Sequence, residues 1–495
     1  MNLKIISWSI IILLLFTGTS IIPASYMSNT KHNVLESTIT VDDDGNADYS
    51  CIQEAINNAK SGDTIYIYKG NYLENLVIDK SIVLQGEDKS STIIKGDFLD
   101  DTVWIKASFV EIKNLKIRES INDGYSAGIR VIEKRWYHAD DPPDVISNIK
   151  ISNCEIENNN CGIRFSNVKE SEIISCNINN NLCSSVYFCT ANNIKIKNCD
   201  IFENGLKTTY GYYTGGIVLT NGYGKSKNIE ISDCRIYDNI YSGISVNSIE
   251  NVVIENNYIT NNSNMGVEIK NTKNKIELVD NHINNNGNYN RFDSGIFLQD
   301  NSNVTLDNNK IYDNKKYGIY LLRCSLVNVK INTIKRNDYG IYIKDSFENL
   351  IIENDISISW SIGLSVKGNK SKENRIFHNN FHLNLFNAEC SSEYNNGYQE
   401  PPMNYWDNGT EGNYWDDFDR PIEGAYDKNN DGIIDSSYTI DVNNTDNYPL
   451  KNSYGKNKLE IKYKEIIHSN IKSNRYIIEI LDILYNKIQE LKNQR

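Results

Sequence analysis

Short runs in which apolar and polar residues alternate dominate the chain, and one such run recurs through its middle. A small residue followed by an apolar-x-apolar pair stands at Gly128 (AGIRV), Gly162 (CGIRF), Ser185 (SSVYF), Gly216 (GGIVL) and Gly243 (SGISV). It returns at Gly266 (MGVEI), Gly295 (SGIFL), Gly318 (YGIYL), Gly340 (YGIYI) and Gly363 (IGLSV). The spacings are 34, 23, 31, 27, 23, 29, 23, 22 and 23 residues, a period of 22 or 23 with insertions. Period-two alternation marks a strand with one buried side, and a fixed period of this length marks stacked units sharing one core.

A second register lies between these runs, of the form Ile-x-Ile-x-x-(Cys/Asn)-x-Ile-x-x-Asn, as in NIKISNCEIENN from Asn148. Its Cys/Asn position holds Cys154, Cys176, Cys199, Cys234, Asn257, Asn281, Asn309, Asn332 and Asn354. Its last position holds Asn159, Asn181, Asn204, Asn239, Asn262, Asn286, Asn314 and Asn337. Stacked one strand spacing apart, about 4.8 Å, such asparagines hydrogen-bond along the stack, and they tolerate the left-handed turn conformation. Isoleucines at alternate positions fill the interior. The expected fold is an all-β, single-stranded parallel β-helix. A leucine-rich repeat shares part of this pattern but leaves no room for a second β segment six or seven residues further on.

An open solenoid needs its ends covered. Ser50-Cys51-Ile52-Gln53 reads as a capping box opening a helix through Ala59, with Ile52, Ala55, Ile56 and Ala59 on one face. Residues 1–25 read as an export signal, with Lys4 before the apolar run Ile5 to Phe16 and small residues at Ala24 and Ser25. A linker over 26–37, a cap and first coils over 38–100, repeats over 101–395, a C-terminal cap over 396–452 and a tail over 453–495 complete the division. In the tail Ile477, Leu481, Leu484, Ile488 and Leu491 alternate four and three residues apart, the seam of a short coiled coil, so residues 477–491 are a candidate for self-association.

The segment Asp42 to Gly86, the Gly-Ile and Asn ladders and the closing run IFHNNF…NYWD…GNYWDDF…DGIID…YTID…NYPL resemble NosD-like β-helix proteins of the pectin-lyase-like repeat family. The resemblance implies a right-handed helix, an exported protein, and a carbohydrate-binding or copper-system role. For copper the residues offer little. The six histidines are scattered, and His378 with His382 is the single close pair.

Charge and composition narrow the partners. A net charge of -13 excludes a general nucleic-acid surface, and no later apolar run is long enough to cross a bilayer, so the expected location is secreted or cell-surface. The ten cysteines form no CxxC pair, and those at repeat positions read as small core residues.

Candidate chemistry lies outside the column. The outward residue of each Gly-Ile strand gives a row of Arg130, Arg164, Tyr187, Val218, Ser245, Glu268, Phe297, Tyr320, Tyr342 and Ser365. Insertions at Ile132 to Ser147, Gly205 to Thr214, Thr220 to Lys227 and Gly287 to Asp293 would wall it, adding Trp136, Tyr137, Tyr210, Tyr212, Tyr213 and Phe292. Arg130, Arg164, Tyr187, Phe297, Tyr320 and Tyr342 suit an extended saccharide, with rings on aromatic faces and acidic groups on guanidinium. This predicts a polysaccharide or cell-surface glycan as partner. Hydrolysis needs two carboxylates and only Glu268 stands in the row, so binding without catalysis is the primary reading. Alternatives are a lyase, hydrolase or epimerase, with an arginine beside Asp140, Asp141 and Asp144, a structural adhesion protein, or a copper-system accessory protein. A calcium loop is expected in DKNNDGIID, where Asp427, Asn429, Asp431, the Ile433 carbonyl and Asp435 take positions 1, 3, 5, 7 and 9 around Gly432, although Tyr438 stands where the bidentate glutamate would be.

Overall fold

The computed structural model describes residues 37–120, 126–134, 143–205, 215–222, 224–288, 291–392 and 400–455. The expected signal, linker and coiled-coil seam lie outside these residues, as do Trp136, Tyr137, Asp140, Asp141, Tyr210, Tyr212 and Tyr213. Within them the chain is an all-β parallel solenoid. Each coil contributes a strand to three faces. The first face holds the Gly-Ile strands, such as Gly215–Thr220 and Tyr317–Leu322, and the second the Ile-x-Ile strands, such as Ile149–Ser152 and Val304–Asp307. They merge into one 26-stranded sheet because Cys161–Ile174 and Ser184–Lys197 run through the corner between them. The third face is a separate 14-stranded sheet of short strands such as Tyr258–Thr260.

The repeat spacing becomes strict register. Alternate residues, including Ile129, Ile163, Val186 and Ile217, pair coil to coil and are fully buried. The glycine of the recurring motif answers to close approach. A Cβ on Gly216 would lie 2.1 Å from the Gly243 carbonyl oxygen of the next coil. Where serine takes this place, Ser185 instead donates its hydroxyl to the Gly216 carbonyl at 2.6 Å.

The interior ladders are directional. The Cys234 amide donates to Asn257 Oδ1 at 2.9 Å, and the Asn257 amide and side chain both donate to Asn281 Oδ1 at 3.0 Å. The series passes through Asn309, Asn332 and Asn354, then on through Asn379 and Asn413. It ends on Asp446, whose Oδ2 accepts the Asn413 amide at 2.8 Å and the Trp415 indole N–H at 2.9 Å. Burial outweighs these bonds and pushes the Asp446 carboxyl up to about 7. Trp415 lies between Phe381 and Tyr438, stacked at 4.4 and 4.2 Å over the last coil.

Two local expectations are corrected. Left-handed backbone falls one residue before the ladder positions, at Asn153 (φ 49°), Asn158 (φ 55°) and Asn256 (φ 54°), so turning and bonding are divided between neighbours. The helix α1 (Ile52–Asn58) buries Ile52, Ala55 and Ile56, but no capping box holds it. Glu74, one coil on, accepts the Ile52 and Gln53 amides at 2.8 and 2.9 Å. A carboxylate from a packed neighbour offsets the helix N-terminal charge better than the local serine.

Candidate functional site

The outward row of the first face stands in unbroken register. Trp104 pairs with Arg130, Arg130 with Arg164, Arg164 with Tyr187, and Tyr187 with Val218. Val218, Ser245, Glu268, Phe297, Tyr320, Tyr342, Ser365 and Glu389 follow in turn. All six residues expected to bind ligand therefore share one line. Their exposure departs from expectation. Phe297 retains 1% of its surface, Tyr320 4%, Tyr187 6% and Arg130 9%, whereas Arg164 and Tyr342 are half-buried.

The cause is lateral packing. Phe292, from the insertion ending at Asp293, lies 5.5 Å from Phe297 and 6.2 Å from Tyr320 between ring centroids. Tyr317 wedges against Tyr320 and Tyr342 at 4.7 and 4.8 Å, with Tyr339 behind it. The aromatic stretch is thus a second apolar cluster on the outside of the sheet, and desolvation pushes the Tyr317 phenol above its usual range. At the other end Arg130 Nε donates to Asp101 Oδ2 at 2.6 Å, a pair with the carboxylate fully buried. The Arg164 guanidinium lies 4.8 Å over the Tyr187 ring.

Two carboxylates stand in the row, each fixed twice. Glu268 accepts the Ser245 hydroxyl at 3.0 Å and pairs with Lys270, and Glu389 accepts the Ser365 hydroxyl at 2.8 Å and pairs with Lys367. Five strand spacings separate them, about 24 Å, well beyond the roughly 5–10 Å that glycoside hydrolysis uses.

The third face carries an aromatic group missing from the sequence reading. Phe202 and Tyr237 stack in adjacent coils at 4.9 Å and 5°, Tyr258 follows with 41% of its surface exposed, and Tyr312 stands further on. The signal was legible, since Phe202, Tyr237 and Tyr312 each stand two residues before a ladder asparagine.

In the expected calcium loop each acidic or amide side chain accepts a backbone amide. Asp427 takes Gly432 at 3.1 Å, Asn429 takes Asp431 at 3.2 Å, Asp431 takes Ile433 at 2.8 Å, and Asp435 takes Lys428 at 3.0 Å. Asp427 Oδ1 is buried without a hydrogen-bond partner. Among the described residues no three His, Cys, Asp or Glu side chains converge on one point. His378 and His382 engage separate groups: His378 bonds Glu411 at 2.9 Å and stacks on Tyr454 at 4.0 Å, while buried His382 faces Asp355 at 3.5 Å. Cys154, Cys176, Cys199 and Cys234 are free, buried thiols along one ladder, and burial holds Cys176 well above its ordinary value. Among the described residues no helix is long and apolar enough to cross a membrane.

The family described as "Right handed beta helix region" matches residues 101–239 and 215–386, more than half of the chain. No curated protein matches it in sequence. Among solved structures, the A-module of the mannuronan C-5 epimerase AlgE4 of Azotobacter vinelandii aligns with a TM-score of 0.53 at 16% identity, over 70% of this chain and 94% of that one. The catalytic unit of a GH87 α-1,3-glucanase from Streptomyces thermodiastaticus aligns at 0.51 and 13%, over 71% and 67%. PfbA, a surface adhesin of Streptococcus pneumoniae, aligns at 0.41 and 15%, over 71% and 90%. At these identities the likeness is one of fold.

Proposed function

Because this chain belongs to the right-handed β-helix family, with its interior filled by its own side chains, we propose that it works through its outer faces as a secreted or cell-surface rod that binds carbohydrate or surface matrix without catalysis. The observation that carries this reading is the single row in which Arg164 and Tyr342 stand half-exposed beside a buried base of Tyr187, Phe297 and Tyr320, with half-exposed Tyr339 next to Tyr342. Aromatic edges and faces held this firmly stack on pyranose rings with little loss of side-chain freedom, and a guanidinium receives a sugar carboxylate or sulfate. A mannuronan epimerase and an α-1,3-glucanase among the structures of this fold support a polysaccharide as the partner class. A glycan array probed with the full chain tests the proposal, and retention on no glycan overturns it. Release of shortened or unsaturated products from acidic polysaccharides would favour the alternative of a lyase, hydrolase or epimerase.

Calcium is the proposed partner of the Asp427–Asp435 loop, supported by alternate oxygen ligands around Gly432 and by the unsatisfied Asp427 Oδ1. Its role would be to stiffen the segment that ends the ladder. The thermal midpoint should rise with calcium and fall with chelator, and a midpoint indifferent to both refutes it.

A further inference from the structure

We infer that the third face carries a subsite for one pyranose ring, in a notch between Tyr237 and Tyr312. This rests on the glycan-binding reading above and adds a second location to it. The outward row there runs Phe202, Tyr237, Thr260, Asn284, Tyr312, one residue per coil. Two small residues thus interrupt a line of large rings. Tyr237 and Tyr312 stand three strand spacings apart, about 14 Å, with the shorter side chains of Thr260 and Asn284 between them. Phe202 stacks behind Tyr237 and holds it upright. Arginines back both walls: Arg235 lies 6.0 Å from the Tyr237 ring and pairs with Asp200, and Arg336 lies 5.6 Å from the Tyr312 ring and pairs with Asp313.

The parallel outward row supplies the third side, with Tyr258 and His282 in adjacent coils and their rings 6.2 Å apart. Burial, and secondarily the Tyr258 phenol, push the Tyr312 phenol above its ordinary value.

Beneath these rings lies a polar group without a match. Asn284 is 4% exposed, its Nδ2 donates to the Thr260 hydroxyl at 3.1 Å, and its Oδ1 is buried with no hydrogen-bond partner. Such an acceptor is costly to leave unmatched. A ring hydroxyl supplies the missing donor while its C–H face lies on an aromatic wall. Exposed Lys310, next to His282 in its row, adds a cation at the rim that would favour a uronate over a neutral hexose.

The test titrates the full chain with cellohexaose and laminarihexaose as neutral probes and hexagalacturonate and hexamannuronate as acidic ones. Tyr258→Ala and Asn284→Leu should each weaken the bound probe at least tenfold, while Tyr342→Ala leaves the third-face contribution in place. Should Asn284→Leu fail to fold, protection of Tyr258 and Tyr312 from nitration by bound probe decides the matter in the unaltered protein. If a probe binds but both variants retain affinity within twofold, or no protection appears, the notch is not a subsite and the wider glycan reading stands. If the unaltered chain binds no glycan on the array or in titration, both readings fall together.

Discussion

The first and third faces of this rod each present a line of aromatic side chains, yet one line is closed and the other partly open. On the first face Phe297 and Tyr320 keep 1% and 4% of their surface, under Phe292 and beside Tyr317, whereas on the third Tyr258 keeps 41%. Chemistry does not separate them, since both point away from the core in strict register. What differs is the strand and its borders. First-face strands such as Ser294–Gln299 are six residues long and bring further aromatics alongside, while third-face strands such as Tyr258–Thr260 have three. Pointing outward in a β-helix is therefore not the same as meeting solvent, and adjoining segments decide which face has free rings.

The largest effect should come from the column that both faces share, and it calibrates the comparison. The Asp446 carboxyl moves from 3.8 to about 7 on folding, so the folded protein holds a proton that the unfolded chain has released between those values. Stability should fall by about 4 kcal/mol as pH rises through that window and stay level above it. Asp446→Asn should flatten this slope in denaturant titrations, and variants confined to either face should keep it. On the closed face, Phe297→Ala should cost about 3–5 kcal/mol, as a core truncation does, and a loss below about 1 kcal/mol would show that the cluster is mere surface. Asp101→Ala, which removes the buried carboxylate that accepts from Arg130 Nε, should cost about 3 kcal/mol in the same measurement. At the turns, Ile331 holds φ 59° with 46% exposure, a conformation β-branched residues resist, so Ile331→Asn should stabilise by about 1 kcal/mol. On the open face, Tyr258→Ala should change unfolding by less than about 0.5 kcal/mol, and a loss comparable to that of Phe297→Ala would erase the distinction between the faces.

The period made much of this readable beforehand. The ladders, the core isoleucines and the alignment of Arg130 with Tyr342 follow from counting, because one residue per coil at a fixed position must fall in line. Burial of that line was not readable, since it depends on how Phe292 and Tyr317 fold over a sheet to which they contribute no rung of the row. Glu74 replaced Ser50 at the helix for a related reason: the coil stack places residues more than twenty apart side by side, and local motifs do not register that. The third-face aromatics are masked in the sequence by the stronger interior signal of the Ile-x-x-Asn segment, although Tyr237 and Tyr312 flank its isoleucines. The expected calcium ligands were legible in spacing, whereas their use as acceptors for the loop's own amides required coordinates.

The direction of the asparagine ladder bears on how the molecule is made. Every rung gives its amide proton to the coil that follows it in the chain, as Asn354 gives to Asn379 and Asn379 to Asn413. A chain emerging amino end first therefore always carries a growing tip whose innermost donors await a coil not yet synthesised. At Asp446 the column stops recruiting, because its carboxyl accepts the Asn413 amide and the Trp415 indole N–H and no further asparagine rung follows it, so this segment closes an end that would otherwise stay open to another strand.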